Sequence, residues 1–380
     1  MIINVDNAII SFICLFPITV IIQRYSNIPN RILFVLLTGM LLISFVLNSL
    51  RANTKKKIKA FIMVTLVSGL ALYDYNITRE SLINFNDVLY LPFWVLFLSY
   101  LTVKYDVYKR LLENKLRFIR FSIVFGNLLM LFFVIMERSY FYNGRHRMAS
   151  GAFLLMLESY YYIRKTQKNK YWLCVFWPCV AILNSTSRTY LIMAAIFLLI
   201  AYYKQLKNKQ WFYLSIVPIA LIFVVIVVNS DIMQYFLPQQ VGVFDFWGSF
   251  TSGRTVFWEK DIAAFMNASM VDRAFGQGYN LVYYVNKEAI DAYIYAHNDF
   301  INILIANGIL GLLIYLVALK DFVVQTVRRQ KVKFVTTLLA IFIFAFNAFF
   351  NGEYNYPAAT LSIMFLFLIL GKEDEFECLE

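Results

Sequence analysis

The sequence predicts an all-α, polytopic membrane protein. Three observations carry that reading: an apolar excess beyond what a soluble domain holds, a succession of apolar runs near bilayer length, and basic clusters recurring in alternate connections. Of 380 residues, 61% are hydrophobic and only 15% charged, with mean hydropathy +0.63. A soluble domain is about half apolar and a quarter charged, so lipid has to dissolve the excess.

Apolar runs fall at about 9–23, 31–50, 60–73, 88–103, 118–136, 149–163, 171–184, 189–203, 211–229, 300–318, 334–350 and 358–371, giving about 12 spans. The first lacks a basic region before it and a small-residue cleavage site after it, so it reads as an uncleaved span. Clusters around Lys55–Lys59, Lys104–Arg120, Arg164–Lys170, Lys204–Lys209 and Lys320–Lys333 hold most of the 35 Lys and Arg. The positive-inside rule then puts these loops and both termini in the cytoplasm.

The run from Tyr171 to Tyr203 tests this scheme, because basic loops flank it on both sides and it must cross an even number of times. Its polar middle, Asn184-Ser185-Thr186-Ser187-Arg188-Thr189, becomes a hairpin turn that holds Arg188 at or below the outer surface. The division expected along the chain is a transmembrane bundle over 1–229, an extracytoplasmic loop over 230–299, and further spans with a cytoplasmic tail over 300–380. Within that loop, Trp258, Ile262, Phe265 and Met266 have helical spacing. They predict either an amphipathic helix on the outer leaflet or a packing helix inside the loop.

The net charge of +12 is spread in short clusters between spans, which argues against nucleic acid as a partner. Cys14, Cys174, Cys179 and Cys378 form no C-x-x-C pair, and His146 and His297 are too few to complete a metal site with them. No Asp-x-Asp and no Walker-type phosphate loop occurs, so neither a metal-dependent nucleotide-sugar transferase nor an ATP-driven pump has a visible site.

Candidate chemistry lies on the outer side. Arg147, Arg188 and Arg254 present planar forks of donors suited to phosphate oxygens, and together they suggest a diphosphate. Each alone also reads as a snorkelling or headgroup-contacting residue, and Arg145 and His146 read as ordinary loop residues. His297 precedes Asn298-Asp299 and an apolar helix. The helix dipole disfavours its imidazolium form and leaves a neutral base, the alternative being a histidine satisfied within a capping turn. Asn298 reads as an orienter of the imidazole or as the cap, Asp299 as cap alone, and Gly276-Gln277-Gly278 as a turn.

In order, the chain has an outer Arg-containing loop, a buried Ser-Arg hairpin, Ser252-Gly253-Arg254, Phe275-Gly276-Gln277-Gly278-Tyr279, then His297-Asn298-Asp299-Phe300 running into Ala306-Asn307-Gly308-Ile309-Leu310-Gly311. That series resembles the O-antigen polymerase and ligase family, over about the second half of the chain. The likeness implies a GT-C-like helical fold in the bacterial inner membrane and no metal or other cofactor. It also implies an extracytoplasmic active site that transfers glycan from a polyprenyl diphosphate. His297 with Asn298 would be catalytic, and Arg188, Arg254 and Arg147 would bind the diphosphate. Implied partners are the polyprenyl-diphosphate-linked oligosaccharide, membrane lipid, and flippase and chain-length regulator proteins. A departure, Met148-Ala149-Ser150-Gly151 in place of a tighter Arg-x-Gly turn, weakens the match at Arg147. Polymerase, ligase and flippase all remain open, although the chain lacks the repeated halves with broken helices expected of a flippase.

Overall fold

A computed structural model describes residues 5–23, 27–49, 55–77, 85–136, 145–185, 187–205, 210, 254–291, 293–330, 334–352 and 356–370. Among these residues the regular structure is helical throughout. The chain runs through α1 (Val5–Ile22), α2 (Asn27–Ser49), α3 (Lys55–Ile77), α4 (Phe85–Val103), α5 (Tyr105–Asn114), α6 (Leu116–Met136), α7 (Arg145–Thr166), a short 3-10 turn (Asn169–Trp172), α8 (Leu173–Asn184) and α9 (Arg188–Gln205). It continues through α10 (Arg254–Asn267), α11 (Met270–Phe275), α12 (Tyr279–Ile290), α13 (Asp299–Gln330), α14 (Phe334–Phe350) and α15 (Pro357–Leu370).

Eleven of the apolar runs fall on helices, and the run at 211–229 lies outside the described residues. Among the described residues, Val5–Ile22, Ile28–Leu47 and Asp299–Arg329 are long and apolar enough to cross a membrane. A fourth candidate joins α4 and α5, which bend by 87° at Lys104. The connection after Val103 was expected to be loop. It forms α5 instead, because Tyr105, Tyr108 and Leu112 recur at helical spacing and are buried, leaving Arg110 on the outer face.

Large apolar side chains on α2 and α3, among them Ile32, Leu36, Ile43, Ile58 and Ile62, are exposed. A soluble protein could not leave so continuous a surface to water, whereas a bilayer accepts it. At the centre, α7 is buried almost along its length and packs against α1, α6, α8 and α15. Helix α13 packs against α3 and α4, and Trp94 stacks on Tyr315 and Phe344 at 4.8 and 5.3 Å.

Polar contacts separate the two ends of this bundle. Asp6 binds Lys104 at 2.7 Å, Glu113 binds Lys165 at 2.6 Å, and Asp321 binds Lys59 at 2.6 Å. Asp106 pairs with Arg329, while Arg164 and Lys204 both donate to the Ile369 carbonyl. The basic clusters that alternate along the sequence thus meet at one end. Helices α7, α9, α13 and α15 all finish there, so all four begin at the other end.

Helices α10, α11 and α12 fold as a module on the first half of α13. Phe257, Trp258, Phe265, Val282, Ala296 and Ile305 form a second apolar core distinct from that of the bundle. The stripe expected on α10 divides: Trp258 and Phe265 turn inward with Phe257 and Asp261, whereas Ile262 and Met266 are exposed together with Met270 and Val271. Helix α10 is therefore a packing helix within the module, one of the two expectations, and it keeps an outward apolar row. Asp261 is fully buried, and burial pushes its carboxyl up to about 8, Asn286 pulling the other way.

The module is fastened to α13 backbone to backbone. At Gly308 the helix breaks, with φ 66° and ψ −172°, and Gly276 has φ 91° and ψ 171°. The Gln277 and Gly278 amides donate to the Ile305 and Ala306 carbonyls at 2.8 and 3.1 Å, beside the break. A Cβ on Gly276 would stand 2.2 Å from the Ala306 oxygen, and one on Gly308 would stand 2.4 Å from the Ala274 oxygen. Gly276-Gln277-Gly278 links α11 to α12 without regular structure, and its glycines permit this close approach as well as the positive φ.

Candidate functional site

The residues singled out in the sequence sit at helix beginnings. Arg147 lies in the first turn of α7, Arg188 opens α9, Arg254 opens α10, and His297 and Asn298 immediately precede α13. Each position adds the partial positive charge of a helix N-terminus to its own side chain.

His297 is held in the left-handed region, φ 52°. Few non-glycine residues stay there unless their surroundings enforce it. Here both neighbours are pinned: the Ala296 amide donates to Asn302 Oδ1 at 2.9 Å, and the Ala296 carbonyl accepts from Trp258 Nε1 at 2.6 Å. On the other side, the Ile301 amide donates to Asn298 Oδ1 at 3.2 Å. Asn298 is therefore the cap of α13. Asp299, expected as a cap, instead accepts from the Tyr315 hydroxyl at 2.7 Å and is fully buried. The reason is geometric: the first helical residue points its carboxylate across the break toward α13's own second half, while the preceding Asn is placed to reach the amides.

Two tyrosines that the sequence reading did not select join this cluster. The Tyr295 ring lies 4.1 Å from the His297 ring between centroids, and its hydroxyl shares a hydrogen bond with the Tyr356 hydroxyl just before α15. Burial pushes both phenols above their ordinary range, so both stay protonated near neutral pH. Arg147 and Arg254 both pull the Tyr356 phenol the other way, and Arg254 does the same to Tyr295. Arg147, Arg254, Tyr295, Tyr356 and His297 therefore share one electrostatic neighbourhood, although they come from four separate stretches of chain.

Arg254 donates to the Phe350 carbonyl at the end of α14, and Trp258, one turn on, packs edge-to-face on Phe349 at 5.2 Å. The same helix end reaches Arg188's helix. The Asn351 amide donates to Asn347 Oδ1 at 3.1 Å, and the Asn347 amide donates to the Tyr190 hydroxyl at 3.3 Å. Arg188 is half-buried, with one guanidinium nitrogen enclosed, and follows the buried Ser185 and Ser187 of the hairpin turn. Arg147 is exposed, and the side chains of Arg145 and His146 lie outside the described residues. Among the described residues, no three His, Cys, Asp or Glu side chains converge as a metal site requires.

A different polar cluster lies deep in the bundle: Ser122 donates to Glu158 at 3.4 Å and to the Cys14 carbonyl, and all three residues are fully buried.

Fold and candidate site together define a class: an all-helical protein with membrane-type helices, in which arginines at helix starts gather beside a small helical module. Residues 173–316 match the model of the O-antigen ligase family. The matched segment includes Arg188, Arg254, His297 and Asn298, while Arg147 and Tyr356 lie outside it. No curated protein and no solved structure matches the chain.

Proposed function

We propose that the chain is a surface-polysaccharide polymerase of the bacterial inner membrane, joining repeat units carried on polyprenyl diphosphate. The observation that carries this reading is the convergence of arginines and helix N-termini around His297 and the paired phenols. Fixed cations and oriented dipoles of this kind stabilise charge that builds on a leaving diphosphate without having to reorganise. The spans number about 12, the module belongs to an extracytoplasmic loop over 230–299, and the basic end with both termini faces the cytoplasm.

In this reading, His297 takes the proton from an acceptor sugar hydroxyl as that oxygen bonds to C1 of the donor glycan. The C1–oxygen bond to the diphosphate breaks, and its electron pair leaves on the diphosphate, held by Arg254 and Arg188 with Arg147 beside them. Attack from the face opposite the leaving group inverts the anomeric centre. Diphosphate leaves without a general acid, so no metal is called for. The neutral Tyr295 and Tyr356 hydroxyls position the imidazole and donate toward the anion. Asn298 acts through the helix start that sets His297.

The matched family bears the description of a ligase, and that second reading differs only in the acceptor: finished glycan passes to another molecule rather than to the next repeat unit. The test uses purified full-length protein with lipid-linked repeat unit alone. Wild type should build a ladder of lengths, and His297→Gln should lose about 10²- to 10⁴-fold in rate while still binding the donor. A Gln variant of near-normal rate would reduce His297 to a structural turn residue. A wild-type protein that yields product only when a second acceptor is added would be a ligase.

A further inference from the structure

At the basic end of the bundle, away from the site above, a cavity of about 280 Å³ opens between α3, α4 and α13. It is close to the smaller ligand pockets of proteins, about 300 Å³, and much larger than a single water needs. Its charge is one-sided: Lys59, Lys320 and Arg328 line it against one carboxylate, Asp321. Lys59 bridges to Asp321 at 2.6 Å, so the carboxylate is already matched. Among the described residues, Lys320 and Arg328 have no acidic partner, although Arg329 beside them pairs with Asp106.

The cavity also has a polar floor. Ser99, 3% exposed, lines it with a hydroxyl that has no hydrogen-bond partner among the described residues. A buried hydroxyl without a partner is costly, so a group that accepts its proton is expected in the space it faces. On the outer flanks, Ile58 and Ile62 of α3 and Val324 of α13 are exposed, an apolar surface running up from the cations. Cations at the rim, a donor at the floor and an apolar flank match an anionic phosphate attached to acyl chains.

We infer that this cavity binds the phosphate headgroup of an anionic phospholipid from the leaflet at the basic end, with Lys320 and Arg328 holding the phosphate and Ser99 donating to one of its oxygens. It rests on the orientation proposed above and not on the chemistry of His297, so either can fail alone.

The test titrates purified full-length protein in detergent with phosphatidylglycerol or phosphatidylcholine and counts retained lipids by native mass spectrometry. Wild type should retain one phosphatidylglycerol at about tenfold lower concentration than phosphatidylcholine, the scale set by two basic side chains close to a charged headgroup. Lys320→Gln with Arg328→Gln should abolish that preference, and Ser99→Ala should weaken it. Arg110→Gln with Arg117→Gln, which removes two exposed cations elsewhere on the chain, should leave it intact. Equal retention of the two lipids, or equal loss in both double variants, would overturn the site. Displacement of phosphatidylglycerol by millimolar inorganic phosphate would overturn the lipid assignment in favour of a free anion. All four positions other than Ser99 are exposed or half-buried, so their variants should fold, and a monodisperse sample establishes that they do.

Discussion

The fastening of the α10–α12 module to α13 gives the most direct perturbation, Gly308→Ala. An alanine there must hold φ 66° with ψ −172°, a region open essentially to glycine, at about 1–3 kcal/mol. Its Cβ would meet the Ala274 oxygen at 2.4 Å and the Gly276 nitrogen at 2.6 Å, and both are backbone atoms that cannot rotate away. The chain must therefore separate at this point. Separation loses the hydrogen bonds from Gln277 and Gly278, worth about 0.5–1.5 kcal/mol each. The sum, about 2–6 kcal/mol, lowers the free energy of local opening and should speed amide exchange over 254–290 by at least about 30-fold.

Hydrogen exchange read by mass spectrometry on purified protein measures this directly. Gly39→Ala is the control: its Cβ would meet nothing within 4 Å, and in mid-helix alanine gains up to about 1 kcal/mol. Glycosyl transfer should fall in Gly308→Ala as well, because the Trp258 bond to Ala296 that pins His297 belongs to the module. Unchanged exchange over 254–290 in Gly308→Ala, with Gly39→Ala also unchanged, would refute the close approach.

Two further predictions concern single side chains. Because the folded-state value of Asp261 is raised from 3.8 to about 8, the folded protein binds its proton more tightly, and stability falls by about 1.4 kcal/mol per pH unit across that window. Asp261→Asn removes the titration, so its melting temperature should exceed wild type by a margin that widens from pH 5 to pH 8 and then levels; a margin constant with pH would remove the carboxyl from the account. Arg188→Lys and Arg254→Lys should each impair transfer nearly as badly as Ala, because an ammonium cannot reproduce the bidentate fork. Full-length polymer from either Lys variant at matched expression would show that charge alone is needed.

Apolar run length located the helices well but not their ends. Hydropathy stops near Tyr73, whereas α3 extends from Lys55 to Ile77, because backbone hydrogen bonding continues where the chain enters the polar interface. Likewise α13 runs past Ala318 to Gln330, carrying Lys320 and Arg328 on a helix where a loop was expected. Arg254 and His297 were legible, since a cation or an imidazole at the outer edge of a span stands out by its cost. Tyr295 and Tyr356 were not: the chain has 26 tyrosines, and these two lie 61 positions apart with no spacing rule to join them. Nor does the spacing of Gly276 and Gly308 show that one backbone lies against the other; only folding brings them together. Asp299 was misread because Asn and Asp are equally good caps in sequence, and only one of two adjacent residues can occupy the position.

The direction of the helices explains why the arginines and the histidine gather where they do. Arg147, Arg188, His297 and Tyr356 belong to the starts of α7, α9, α13 and α15, which all finish at the basic end. Contacts among Arg164, Lys204, Ile369, Asp106 and Arg329 hold the four C-termini at one end, so all four N-termini face the other. The dipoles then add positive potential at the site end. Lys and Arg at the opposite end, including Lys204 and Arg164 on the Ile369 carbonyl, meet helix C-termini, where a cation is favoured. The gathering of arginines at the helix starts and the cation-rich rim at the helix ends are thus two consequences of one set of helix directions. Moving His297 to the basic end would require reversing the direction of α13 relative to α7 and α15, which pack against the same core.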